Sequence, residues 1–90
     1  MNAQNAPKTE PYLEELARWQ EALPLGKYRH FKGNEYRLLT IGLSSETTEP
    51  LCIYQALYGQ QLIWVRPVSM WAEPVERDGY SGPRFAYIGE

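Results

Sequence analysis

A mainly β domain preceded by one amphipathic helix is what the 90-residue sequence predicts, and three observations predict it. Apolar residues keep helical spacing up to Leu23 and lose it after Gly26. From there, runs rich in Val, Ile, Leu and Tyr alternate with short turn clusters, the pattern of antiparallel strands. Large rings are abundant: seven Tyr, three Trp and two Phe make up 13% of the chain. Each ring buries roughly 150 to 250 Å², which suits a domain that hides only about 60 to 65% of its unfolded surface.

Taken in order, residues 1 to 8 are small and polar and read as a disordered tail. Residues 9 to 25 then place Tyr12, Leu16, Trp19 and Leu23 on one helical stripe, flanked by Leu13. Thr9 or Glu10 suits the cap, and Pro11 the first turn, where its missing N–H costs nothing. Glu14 precedes Arg18 by four residues in the favourable orientation. Pro24 and Gly26 stop the helix.

Residues 26 to 90 form the β domain, with strands expected near 27–32, 35–43, 51–58, 62–66 and 84–88. Gly33-Asn34 reads as a two-residue hairpin turn, SSETTEP as a polar loop and GQQ as a tight turn. Pro67 lacks a ladder donor, so the fourth strand is expected to end at Arg66, and VSMWAEPVERDGYSGP to run irregularly before the last strand. Five short strands hide both edges by curling into a small SH3-like barrel against the helix. The alternative is an open antiparallel meander covered by the helix.

Composition narrows the function classes. Cys52 is the only cysteine and His30 the only histidine, which excludes an internal disulfide and an all-cysteine metal site. No metal or other cofactor is expected. The N-terminus has no secretory pattern, and no apolar run approaches the roughly 20 residues that span a bilayer. A cytoplasmic protein without membrane contact is therefore expected. The net charge of −2 speaks against tight non-specific duplex binding. Charge is uneven, however: residues 10–21 hold four Glu against Arg18, whereas Lys27, Arg29, Lys32 and Arg37 stand against Glu35 alone.

Chemistry concentrates in YRHFKGNEY, residues 28–36. With a Gly33-Asn34 turn, Lys32 pairs with Glu35, Phe31 with Tyr36 and His30 with Arg37. Tyr28, His30, Lys32, Glu35 and Arg37 then share one face, with Arg29, Phe31, Tyr36 and Leu38 on the other. His30 has no visible nucleophile or orienting partner, and Cys52 lies in an apolar strand. Ser45, Glu46 and Thr47 offer ligand groups, although such loops more often satisfy their own backbone. Strand alternation sets Tyr54 with Tyr58, and Trp64 with Arg66.

The ordered segments GKYRHFKGNEYRLL, SSETTEPLCIYQALYG, LIWVRPVSMW and GPRF resemble a family of short bacterial proteins of unknown function, sometimes fused to Nudix-type hydrolases. The resemblance implies an SH3-like barrel and no known activity, and it leaves residues 1–25 outside. Trp71 stands where the family favours Phe.

The candidate ligand-binding residues are Tyr28, His30, Lys32, Tyr54, Tyr58, Trp64 and Arg66, an aromatic and basic patch. The function expected from them is non-enzymatic binding of an extended or ring-bearing anion: a peptide, a nucleotide or a nucleic-acid single strand. The alternative is an accessory interaction domain whose helix stripe serves a protein partner or a homodimer.

Overall fold

The computed structural model describes residues 10–90, so the expected tail and the Thr9 cap lie outside the described residues. Helix α1 (Pro11–Ala22) starts from Glu10, whose side chain makes no cap bond, with Pro11 in the first turn. Three of the four stripe residues, Leu16, Trp19 and Leu23, pack against the buried cluster.

Five strands form one antiparallel sheet. They are β1 (Gly26–His30), β2 (Glu35–Leu43), β3 (Pro50–Ala56), β4 (Ile63–Pro67) and the last strand, Phe85–Gly89. Pro67 belongs to β4, where it stands opposite Leu51. The segment expected to be irregular is ordered: it forms the short helix α2 (Val68–Trp71) and a hairpin of β5 (Pro74–Arg77) and β6 (Tyr80–Pro83). Asp78 and Gly79 both adopt positive φ at its tip, as the two-residue turn of a twisted hairpin requires. The last strand is accordingly β7.

The sheet order is β4-β3-β2-β1-β7, and the sheet does not close into a barrel. The mainly β fold with an N-terminal helix holds, in the open form, because among the described residues β7 pairs only with β1 while α1 and α2 cover the inner face. The inner-face core comprises Tyr28, Leu38, Ile41, Cys52, Tyr54, Val68, Trp71 and Phe85. Trp71, 1% exposed, lies at its centre, stacked on Phe85 at 3.8 Å and edge-on to Tyr28 and Tyr54. Among the described residues, no helix is long and apolar enough to cross a membrane.

Two local features set which side chains face inward. The first hairpin has a three-residue loop, Phe31-Lys32-Gly33: the His30 amide donates to Asn34 O at 2.8 Å and the Gly33 amide to His30 O at 2.7 Å. Gly33 supplies the positive φ that this loop needs. Tyr28 therefore pairs with Tyr36, and Arg29 with Glu35. That register corrects the two-residue turn, the Lys32–Glu35 and Phe31–Tyr36 pairs, and the face division that followed from them. The second feature is a bulge between Leu38 and Thr40, which turns both Leu38 and Ile41 into the core despite their odd spacing.

The cross-strand ion pair is thus Arg29–Glu35, at 2.8 Å on the solvent side. Exposed pairs contribute about 0.2 to 1 kcal/mol. Glu35→Gln is expected to lower unfolding stability by no more than that, and Lys32→Ala to leave stability unchanged, as measured by urea denaturation.

Candidate functional site

The β1 and β2 register brings His30 and Tyr36 onto the inner face, where β7 adds Phe85 opposite His30. The His30 ring lies 4.6 Å from Phe31, 4.9 Å from Phe85 and 6.4 Å from Tyr36. Tyr36 extends the row to Tyr58, with their hydroxyls 2.9 Å apart, and meets Tyr54 edge-on at 5.6 Å. Arg66 donates from Nε to the Tyr54 hydroxyl at 3.2 Å, and its guanidinium carbon sits 5.6 Å from the Phe85 centroid. The result is an aromatic floor with cations at its margin.

Further cations arrive from the segment expected to be irregular. Arg77 on β5 lies 5.5 Å from the Phe31 ring, which also stacks on Tyr80 of β6 at 5.7 Å. Lys32 reaches the same ring at 5.9 Å. Arg84, just before β7, pairs through Nη2 with Glu73 at 3.3 Å, while its Nε is buried with no partner among the described residues. Among the described residues, Arg66, Arg77 and Lys32 form no ion pair, and residues 1–9 contain no carboxylate.

The electrostatic consequence registers on His30. Burial first, then Arg84, Arg66, Lys32 and Arg77 in turn, hold its imidazole below the ordinary 6.5. The Lys32 amide donates to His30 Nδ1 at 3.1 Å, so the neutral ring carries its proton on Nε2. Neutral His30 is a hydrogen-bond donor beside uncompensated positive charge, an arrangement suited to accepting an anion.

The sign of the pH dependence follows. The unfolded chain, with the ordinary value, takes up a proton at higher pH than the folded protein. This contribution leaves stability full above about pH 6.5, lowers it as pH falls through 6.5 toward the folded value, and then levels off. Denaturation midpoints at about pH 7.5 and 5.5 are expected to differ less in His30→Gln than in the wild type. An added anion is expected to raise the pKa read from the chain's only histidine by NMR.

Of the candidate residues, the structure brings His30, Lys32, Tyr54, Tyr58 and Arg66 into one connected array. Tyr54 contributes its hydroxyl from a buried ring, 5% exposed. Trp64, directly across from Tyr54 on the same face, shares with Tyr58 a cleft of about 90 Å³ that Gln60, Gln61 and Leu62 help to line. Tyr28 is set apart: its ring is core, its hydroxyl donates to Pro24 O at 2.7 Å, and burial pushes its pKa up to about 12. Sequence reasoning passed over Arg77, Arg84, Tyr36 and Phe85. The signal that could have found the first two is Asp78-Gly79, a hairpin turn pair.

Other groups lie outside this array. Cys52 is fully buried, and burial raises its thiol to about 12, which leaves it protonated and inert. In the 44–49 loop, Ser44 Oγ accepts from the Glu46 and Thr47 amides, and Thr47 Oγ1 from the Glu49 amide. These hydroxyls satisfy their own turn. Among the described residues, no three His, Cys, Asp or Glu side chains cluster to hold a metal ion.

The family described as a protein of unknown function, DUF1653, matches residues 26–87. A crystal structure of a protein belonging to DUF1653 from Bordetella bronchiseptica is similar, with a TM-score of 0.72 and 34% identity. The alignment covers 77% of this chain and 91% of that one. No curated protein matches. The match runs from the start of β1 into β7 and takes in Lys32, Arg66, Arg77 and Arg84, and the chain belongs to the DUF1653 family.

Proposed function

We propose that the protein is a non-catalytic binding module that holds an anionic, ring-bearing ligand on the inner face around His30. One observation carries the reading: Arg66 stands over the Phe85 ring and Arg77 and Lys32 over the Phe31 ring, the two rings that flank His30, with Arg84 just before β7, and of these four cations Arg84 alone is ion-paired among the described residues, to Glu73. Arginine beside aromatic faces stacks on rings and forks to carboxylate or phosphate. The exposed rings of Tyr58 and Trp64 offer a stacking surface next to that charge. Binding accounts for these groups better than catalysis does, since His30 has a backbone amide on Nδ1 and Cys52 is protonated. A cytoplasmic setting suits the single buried thiol.

The test is an NMR titration of the isotope-labelled full chain with pyrophosphate, adenosine monophosphate and a short oligothymidylate. Shifts are expected at His30, Lys32, Arg66, Tyr58 and Trp64, with affinity falling steeply between about 50 and 200 mM salt. Resonances of these residues that stay unmoved by all three probes, or an affinity indifferent to salt, would overturn the reading.

A further inference from the structure

Strand β4 forms one edge of the sheet, with no strand beyond it among the described residues. Hydrogen-bonded and non-hydrogen-bonded pairs alternate along an antiparallel ladder, and the Ala56 amide donates to Leu62 O at 2.9 Å. Tyr54–Trp64 and Cys52–Arg66 are then the bonded pairs, so Ile63 and Val65 turn their N–H and C=O groups to the open side. Side chains divide in the same rhythm: Trp64 and Arg66 on the inner face, Ile63 and Val65 on the outer one.

This edge is unusually apolar, with Arg66 the one charged side chain on β4. Leu62, Ile63, Trp64 and Val65 are each at least half exposed. Edge strands are normally blunted by charge, proline or a bulge. Here the β3–β4 register runs without a break, and Pro67 blocks the C-terminal end alone.

We infer that the free edge of β4 accepts an extended acidic peptide of a partner protein as a sixth, antiparallel strand. Its acidic side chains lie on the inner face beside Trp64 and Arg66, and its apolar ones cover Ile63 and Val65. Main-chain bonds supply affinity in such strand addition, and alternate side chains supply specificity. The inner-face half of the inference rests on the anion-binding reading above.

Charge selects this occupant. A strand beside Arg66 enters the field of the cations around His30, which acidic side chains complement. A second copy docked through β4 would set two such basic faces side by side. A nucleic-acid strand would use Trp64 and Arg66 but leave the outward amides and the outer-face Ile63 and Val65 unsatisfied.

The test uses the full chain and the peptide acetyl-Val-Asp-Val-Glu-Val-Asp-Val-amide. Binding is expected to protect the Ile63 and Val65 amides from hydrogen exchange. N-methylation of the peptide's valines, whose N–H groups face β4 in this register, is expected to weaken binding by about tenfold or more. N-methylation of its acidic residues should change affinity by less than about threefold. Val65→Lys is expected to weaken the peptide but leave the pyrophosphate-induced shift at His30 intact.

Unprotected Ile63 and Val65 amides, or indifference to valine methylation, would overturn strand addition. If pyrophosphate still shifts His30 in that case, the anion-binding reading stands alone; if it does not, both fall. A dimer in sedimentation equilibrium that the peptide fails to dissociate would assign the edge to a second copy. Equal protection of those amides by oligothymidylate would assign it to nucleic acid. Either result overturns the inference.

Discussion

Trp71→Ala is expected to remove most of the protein's stability, by about 3 to 5 kcal/mol. Total unfolding free energies of single domains run from roughly 5 to 15 kcal/mol, and a 90-residue chain belongs near the low end. Trp71 is the largest fully buried side chain, and it holds Phe85, Tyr28 and Tyr54 in ring contacts from a helix of four residues. Its removal opens a cavity that rigid neighbouring rings cannot collapse to fill. Trp71→Phe separates volume from polarity. The indole Nε1 is buried with no partner among the described residues, and leaving such a donor unsatisfied costs about 1 to 3 kcal/mol. Phenylalanine gives up volume but removes that donor, so its net effect is expected to stay within about 1.5 kcal/mol. Urea denaturation followed by circular dichroism measures both, and an alanine variant with a wild-type midpoint would place the core elsewhere.

Arg66→Met is expected to weaken pyrophosphate binding by about 10- to 100-fold, the range for losing a charged hydrogen-bond partner. Arg66→Lys should recover part of this loss. Lysine keeps the charge but neither the Nε bond to the Tyr54 hydroxyl nor a planar group over Phe85. Arg29→Met is the matched control, because Arg29 lies on the opposite face, paired with Glu35. Calorimetric titrations at one fixed low salt concentration decide the matter. Equal losses for Arg66→Met and Arg29→Met would show that net charge, and not the inner-face array, governs binding.

Much of the fold was legible because local patterns determine it. The stripe Leu16, Trp19 and Leu23 forms a helix that ends before Pro24, as spacing and punctuation require. Cys52, Tyr54 and Ala56 alternate inward along β3. The β5–β6 hairpin was harder to see, since Pro74, Gly82 and Pro83 hide strands around a good turn pair, and only Val75 is buried between them. The site was partly legible: His30, Lys32, Tyr58 and Arg66 were nameable as chemistry-bearing residues, but nothing local joins them.

By itself the sequence determined the helix, the strand-rich remainder, the buried thiol and the uneven charge, all properties of neighbours along the chain. Tertiary structure alone decided which faces those residues share. Alternation relates side chains within one strand, whereas a loop of three residues in place of two turns the next strand over. The loop Phe31-Lys32-Gly33 thereby put Tyr36 beside Tyr28, and the bulge after Leu38 turned Ile41 back into the core. The cations around His30 come from the first turn, β4, β5 and the approach to β7, and only the packing of those segments onto one sheet face makes them a site.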